Sequence, residues 1–408
     1  MTQNSPRALP LQGIRVLDLG QFIAIPFCTL WLAWLGAEVI VIESRRRMTS
    51  RTAPPFAKGL EKEPNASGYF NQLYSSKKSC TVDMTTAEGR DIVRRLAGTC
   101  DVMVDNFSTG VLEKLGLGYE AISAINPAII MLSNGAFGRA GPMRNVRGLH
   151  SAVNLFSGAA DVTGYVDGHP RILGGVLPDP LSGTYSGFAI MAAIYHRQKT
   201  GQGQFIDVAM HEAMLTLIPE AVIDLTMNGV EPERIGNRDR LNAPHGIFRC
   251  CDDDSWLAIS VNDETEWNSL CAATGHPEWL GDPRFSTLEA RRKNVGALEQ
   301  AIEQWSLLQN VHAATDLLQR AGVPAGPVLR VDELLDDEQL NARGGVVTID
   351  HPVAGPRRQM GLPWHMDSLG VQYLRAPLLG EHTHEVLTGL LGISETDYAR
   401  LEAGGVLS

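Results

Sequence analysis

The alternation of apolar strands with helices in the first third of the chain is the feature that most constrains its fold. Residues 14–19 and 38–43 are apolar runs of strand length, and residues 26–35 between them predict a helix that starts at a proline. Strands are then predicted at residues 79–83, 101–105 and 128–133, and helices at residues 86–96 and 110–125. This pattern predicts an α/β fold with a Rossmann-like parallel sheet, which binds ligands at the carboxyl ends of its strands.

The composition and the secondary-structure pattern of the sequence change near residue 228. Gly-rich and Pro-rich loops come first, then a strand at residues 256–261 and helical patterns up to about residue 320. A hinge-like Gly/Pro segment at residues 321–327 leads into a tail with a helix after Thr383. The sequence therefore predicts a large domain over residues 1–225, a smaller α+β domain over residues 226–325, and a return segment, 326–408, that completes the large domain.

Composition excludes several function classes. The chain has 408 residues, of which 44% are hydrophobic, and a net charge of −11 without a long basic block, which argues against a nucleic-acid partner. Six scattered cysteines without a C-x-x-C pair predict neither a disulfide framework nor a zinc site, and they favour the reducing cytoplasm. The most apolar stretch, residues 22–35, is short and broken by Pro26, so no targeting signal and no membrane span are predicted.

Asp179 is the only charged side chain in the segment 174–183, which begins with two glycines and leads into an apolar helix. An Asp followed by Pro is a common way to begin a helix, because the carboxylate can cap free backbone N–H groups. A carboxylate beside glycines that admit a large ligand could instead act as a nucleophile. The local sequence leaves both interpretations open.

Other catalytic motifs are incomplete. A nicotinamide site needs three closely spaced glycines after the first strand, and residues 20–26 contain one. Ser186 stands one place away from the spacing of a serine-hydrolase elbow. His211-Glu212 lacks a second histidine at position 215, and His382 with His384 has no third cluster nearby, so no metal site is predicted.

Several segments in order resemble the class III CoA-transferases, the family that includes formyl-CoA:oxalate and carnitine CoA-transferases and, in the same superfamily, α-methylacyl-CoA racemase. The resemblance runs from Leu11 to the C-terminus, and the family's nucleophilic aspartate falls on Asp179. It implies two chains that interlock as a dimer, each with a large CoA-binding domain and a smaller one. The segments that carry it are residues 16–19, 35–40, 77–84, 101–107, 199–204 and 375–383.

The chemistry that the resemblance implies suits a carboxylate. With an ordinary pKa near 4, Asp179 is ionised at neutral pH and needs no general base to attack an acyl-CoA thioester. The attack would form a mixed anhydride and release the CoA thiolate. The thiolate would then attack the aspartyl carbonyl, which releases the donor acid and leaves CoA on Asp179. A free carboxylic acid would finally take the CoA from Asp179. Acyl-CoA is thus expected as a substrate, with succinyl-CoA one candidate donor, and no permanently bound cofactor is expected.

Basic side chains are expected at the phosphates of CoA, although the net charge of the chain is negative. One family phosphate contact falls on Ser44, and Arg45 is the nearest substitute; Arg46 and Arg47 follow it, and these two are equally well explained as solvated surface charges. Ile23 replaces a glutamine of formyl-CoA transferases, which favours a more hydrophobic acid than oxalate. By matching position, the resemblance implies CoA-binding roles for these residues: Arg147, Lys114, Asn106, Phe107, Arg45 and Ile23.

Two alternatives stay open. A racemase would use the equivalent aspartate with a His-Asp pair upstream, but aligned on Ser157-Gly158 those two positions hold Leu149 and His150, so the pair is missing unless the alignment shifts by one residue. The chain could also be one subunit of a heteromer with a paralogous chain. The presence of Asp179 favours a catalytic chain.

Overall fold

A six-stranded parallel sheet forms the centre of the computed structural model, which describes residues 9–366 and 370–408. The strand order is β3-β2-β1-β4-β5-β6, and every neighbouring pair is parallel, as the alternating sequence pattern predicts. The strands are β1 (Arg15–Asp18), β2 (Glu38–Glu43), β3 (Lys78–Thr81), β4 (Val102–Asp105), β5 (Ile130–Gly135) and β6 (Gln204–Ala209).

Helices cover this sheet on both faces. In chain order the first nine are α1 (Ala24–Trp34), α2 (Gly68–Leu73), α3 (Ala87–Ala97), α4 (Val111–Lys114), α5 (Tyr119–Ser123), α6 (His150–Phe156), α7 (Pro178–Thr200), α8 (Met210–Leu215) and α9 (Pro219–Asn228). Alternate residues of β1 face opposite ways: Val16 packs in a core with α1 and α7, whereas Leu17 packs in a core with α3. Both faces of the strands are therefore apolar, as in a sheet buried between two helical layers.

The predicted helix at residues 110–125 is wrong as a single helix. It is divided into α4 and α5, because Gly116 adopts a left-handed conformation with φ of +69° and Leu117 turns into the core. The helix predicted to start at Pro26 starts two residues earlier, at Ala24. The N–H groups of the first helical turn have no partner within the helix. Proline, which has no N–H, therefore loses no helical hydrogen bond at any position of that turn.

Close packing of α7 on α1 determines where Asp179 lies. A Cβ added to Gly183 of α7 would come within 2.5 Å of the Ala24 carbonyl oxygen, so this contact requires glycine. α7 begins at Pro178 and ends at Thr200, and the next residue, Gly201, is a glycine C-cap with a φ of +74°. Asp179 therefore lies in the first turn of α7, beside the beginning of α1.

The chain divides into two compact units. The larger one comprises the described residues of Met1–Ala160, Ile172–Gly229 and Glu338–Ser408, and the smaller one comprises Asp161–Arg171 and Val230–Asp337. Autonomous domains with the predicted boundaries at residues 225 and 325 stay a prediction. No helix in the described ranges combines the length and apolar character needed to cross a membrane.

The smaller unit contains an antiparallel sheet of order β7-β8-β9 around a core that includes Trp267 and Leu298. Its elements are β7 (His245–Arg249), β8 (Trp256–Ser260), α10 (Glu264–Thr274), α11 (Leu288–Lys293), α12 (Val295–Ser306), α13 (Val311–Arg320), β9 (Ala325–Pro327) and α14 (Val331–Asp336). Short 3₁₀ helices occur at Ser50–Thr52 and Pro277–Leu280. The return segment of the larger unit contributes α15 (Glu338–Ala342), β10 (Val346–Ile349), β11 (Arg357–Met360), α16 (Thr383–Leu391) and α17 (Glu395–Ala403).

Candidate active site

A cleft of about 600 Å³ lies in the larger unit where strands β1 to β5 end, the edge of the sheet at which the sequence pattern predicts ligand binding. One end is lined by residues that follow β2 and β3, and these include the cations Arg46 and Arg47. The other end holds Asp179 and apolar side chains. The residues of this second end are Ile23, Asn134, Ala136, Leu149, His150, Asp179 and Met210.

Asp179 is only 6% exposed, and its Oδ2 atom has no hydrogen-bond partner among the residues that the structure describes. Burial raises the pKa of this carboxyl from 3.8 to about 6, because desolvation penalises the charged form. The nearby His150 ring and the backbone N–H of Ala24 act in the opposite direction and lower that pKa. Leu177 precedes α7 without a side-chain cap, and Asp179 lies inside the first turn. The carboxylate is therefore available to a ligand at the end of the cleft.

His150 is a site residue that the sequence analysis did not assign. It is the first residue of α6, and its Nδ1 atom lies 3.5 Å from Oδ2 of Asp179. Leu149, the position that the racemase alignment matched to a histidine, is 67% exposed. The one signal in the sequence was the possibility of a one-residue shift in that alignment, which would have brought His150 to the aspartate.

The N-terminus of α1 supplies backbone donors to the same place. The first intrahelical bond of α1 runs from the Phe27 N–H to the Ile23 carbonyl oxygen at 2.7 Å, so the N–H groups of Ala24 and Ile25 precede the helical ladder. Pro26 has no N–H to offer. The Ala24 N–H, at the positive end of the α1 dipole, thus lies next to Asp179, where negative charge would be stabilised.

Some of the residues predicted to bind CoA line the cleft and others do not. Ile23, Asn106 and Phe107 line it, together with Asp179. Arg45, Lys114 and Arg147 are exposed and are not among the lining residues; the Nη2 atom of Arg45 instead lies 3.5 Å from the Leu379 carbonyl oxygen.

Arg46 and Arg47 take the place expected for Arg45 at the end of β2. Nη1 of Arg46 lies 2.9 Å from Oδ2 of the buried Asp83, so one of the two cations is tied to an acidic side chain. The direction of three successive arginines in a turn depends on backbone geometry, and their order in the sequence does not reveal it.

Comparison with known proteins agrees with this geometry. The profile described as CoA-transferase family III matches residues 11–383. The chain is 34% identical over its whole length to the succinyl-CoA–D-citramalate CoA-transferase of Chloroflexus aurantiacus, all of which is covered. It is 32% identical, over 97% of both chains, to the formyl-CoA:oxalate CoA-transferase of Rhodopseudomonas palustris.

Solved structures lead to the same group. A CaiB/BaiF family protein from Brucella suis superposes with a TM-score of 0.86 at 32% identity, over 94% of this chain and 100% of that one. Rv3272 from M. tuberculosis superposes with a TM-score of 0.80 at 28% identity, over 92% and 99% of the two chains. The resemblance read from the sequence is confirmed.

Proposed function

Because the chain belongs to CoA-transferase family III, we propose that it moves CoA from an acyl-CoA to a free carboxylic acid through a covalent intermediate on Asp179. The observation that carries the proposal is the carboxylate itself. It is buried at the end of a cleft, one of its oxygens lacks a hydrogen-bond partner, and backbone N–H groups face it. A nucleophile that is desolvated in this way loses little hydration when it attacks.

The reaction balances without any further reagent. An Asp179 oxygen attacks the thioester carbonyl, the C–S bond breaks, and a mixed anhydride and the CoA thiolate form. The thiolate then attacks the aspartyl carbonyl, which releases the donor acid and leaves an aspartyl-CoA thioester. The acceptor carboxylate attacks this thioester, and the same two steps in reverse deliver CoA to the acceptor and return Asp179 to its carboxylate form.

The N–H groups of Ala24 and Ile25 are candidates to stabilise the tetrahedral oxyanions in these steps. They belong to the protein backbone and are already oriented by α1, so they need not reorganise as charge develops. Removal of one oxyanion donor typically costs a factor of about 10² to 10³ in rate.

The two ends of the cleft differ in charge and in apolar surroundings, and this difference supports one orientation of bound CoA. Ile42 and Val82, at the end with Arg46 and Arg47, belong to the core on the α3 face of the sheet, whereas Met210 and Ala136 pack together in a separate cluster that also contains Ala24 and Leu177. The phosphates of CoA would lie at the end with the arginines and the acyl group at the end with Asp179.

The donor and the acceptor are chosen for testing from the relatives. Succinyl-CoA is the first donor to test, because the Chloroflexus relative is named for it, and D-citramalate and oxalate are acceptors named for relatives. The apolar Ile23 favours more hydrophobic acids in the same panel.

A mass-spectrometric experiment tests the proposal. The purified chain is incubated with succinyl-CoA and single free acids, and new acyl-CoA species and a CoA adduct on the Asp179 peptide are sought. Asp179→Asn should abolish both, while Asp91→Asn, an exposed change on α3, should retain both. Substantial transfer by Asp179→Asn would refute the covalent role.

A racemase is the second candidate, and the His150–Asp179 contact favours it. Two titratable groups 3.5 Å apart at the apolar end of the cleft could exchange a proton at the α-carbon of a 2-methylacyl-CoA. This activity would show as incorporation of solvent deuterium at that carbon without any free acid. Deuterium exchange that depends on His150, with no acid-dependent transfer, would select the racemase.

The dimer expected from the family remains a proposal, which an exposed apolar face on α7 supports. Tyr185, Phe188 and Tyr195 are each more than 40% exposed along this helix, and no residue of α9 is buried. A monomer rarely leaves so much apolar surface in water. Light scattering of the chain purified alone should give the mass of a dimer, and Phe188→Glu should weaken it; a monomer would support the heteromer. The cytoplasmic compartment stays a prediction.

A further inference from the structure

Both polar atoms of the Asn106 side chain form hydrogen bonds to the protein backbone. Asn106 directly follows β4, and its Oδ1 atom accepts the Gln21 N–H at 2.8 Å, while its Nδ2 group donates to the Gln21 carbonyl oxygen at 2.7 Å. This two-point contact resembles the pairing of a strand residue with its neighbour. These two bonds fix the direction of the amide and tie Asn106 to the backbone of residue 21, whereas matching position marked Asn106 as a CoA contact.

Two more polar groups hold the same loop, residues 19–23, between β1 and α1. Oδ1 of the buried Asp18 accepts the Gly20 N–H at 2.8 Å. The Phe22 N–H donates to Oγ of Ser50 at 3.1 Å, and the Tyr74 hydroxyl lies 2.9 Å from the same Oγ. Three successive residues of the loop are therefore each held by a side chain, and those of Asn106 and Ser50 come from distant parts of the chain.

The loop is held in a strained conformation. Phe22 has a φ of +59°, the left-handed region that non-glycine residues rarely adopt. Its side chain is 48% exposed and lines the cleft, so packing does not compensate for the strain. The anchors are what oppose relaxation of this residue, and two residues later the chain presents the Ala24 N–H to Asp179.

We propose that Asn106 is a positioning residue for the reaction, and that with Ser50 it clamps the strained loop so that the N-terminus of α1 faces Asp179. This inference rests on the proposed role of Asp179 as the nucleophile. Loss of the clamp lets Phe22 relax and moves the Ala24 N–H away from the carboxylate. Catalysis then slows, whereas the affinity for CoA is retained.

A Ser50 variant distinguishes a positioning role from direct ligand contact, because the Ser50 side chain is not among the residues that line the cleft. Asn106→Ala and Ser50→Ala are compared with Asn268→Ala, an exposed change on α10 of the other unit. The measurements are kcat for CoA transfer, its pH profile, and the Kd of free CoA by calorimetry. Asn106→Ser replaces Asn106→Ala if circular dichroism shows that the latter does not fold.

The clamp predicts that both variants lose about 10- to 100-fold in kcat, the range for a misplaced reacting group. The Kd of CoA should stay within about threefold of the parent value, and the acid limb of the kcat profile should move to higher pH, because the Ala24 N–H holds the pKa of Asp179 down. A simple loss of stability would not move that limb.

Three results would overturn the inference: a Kd for CoA at least tenfold weaker in the Asn106 variant with kcat retained, a Ser50 variant that behaves like the parent, or a lower kcat with an unmoved acid limb. Asp179→Asn is measured alongside. If that variant transfers CoA, the proposed covalent function is wrong. This outcome differs from the three results above, so failure of the proposed function and failure of the inference can be distinguished.

Discussion

Replacement of Asp179 by Asn should stabilise the folded protein while it abolishes transfer. The carboxyl is 6% exposed and its Oδ2 atom lacks a hydrogen-bond partner, so the folded state holds a poorly solvated charge at neutral pH. Burial raises its pKa from 3.8 to about 6. At 1.36 kcal/mol per pKa unit, the ionised carboxylate costs the folded state about 3 kcal/mol, and the neutral amide does not carry that cost.

The pH dependence has a definite sign. The folded-state pKa lies above the unfolded value, so the unfolded chain releases this proton first as the pH rises, and the native protein loses stability between about pH 4 and pH 6. Below pH 4 both states are protonated and the advantage of the Asn variant should vanish. Above pH 6 it should reach its full value and stay constant.

Urea unfolding of the two proteins at equal concentration, followed by tryptophan fluorescence at pH 8 and pH 4.5, measures the difference. We expect the Asn variant to gain about 2–3 kcal/mol in the free energy of unfolding at pH 8 and clearly less at pH 4.5. Asp91→Asn, an exposed carboxylate on α3, should change stability by less than about 0.5 kcal/mol. A variant that is no more stable than the parent at pH 8 would refute the interpretation of Asp179 as a desolvated charge.

Three further predictions concern the geometry around this carboxylate. The acid limb of kcat/KM should lie near pH 6 in the parent and move to higher pH in His150→Gln, because the His150 ring lowers the pKa of Asp179; an unchanged pH profile would contradict the contact. Gly183→Ala should lower kcat and thermal stability, since its Cβ would lie 2.5 Å from the Ala24 carbonyl oxygen, whereas the Cβ of Gly187→Ala, 3.9 Å from Sγ of Cys28, should be tolerated; equal melting temperatures would refute this packing. Arg47→Ala should weaken CoA binding in calorimetry by about tenfold while Arg45→Ala should not, and the reverse order would restore the sequence-based assignment.

Asn106 and the three arginines after β2 show which properties of a site residue can be inferred from its position in the sequence and which cannot. Matching position placed Asn106 on the wall of the cleft, and the structure has it there, but with both amide groups bonded to Gln21. The same reasoning selected Arg45, which points away, whereas Arg46 and Arg47 line the cleft. Side-chain direction in a turn follows from dihedral angles that residue order does not specify.

Sequence patterns alone were enough to predict the parallel sheet, the edge at which the cleft lies, the family and the candidate nucleophile Asp179. These depend on periodic burial, on chain direction and on short motifs, all of which are local patterns. The surroundings of Asp179 depend instead on folding, which brings to it the His150 ring from α6 and the Ala24 N–H at the start of α1, next to the loop that Asn106 and Ser50 contact. These groups come from segments far apart in the chain, and their distances are set by how closely helices such as α1 and α7 pack.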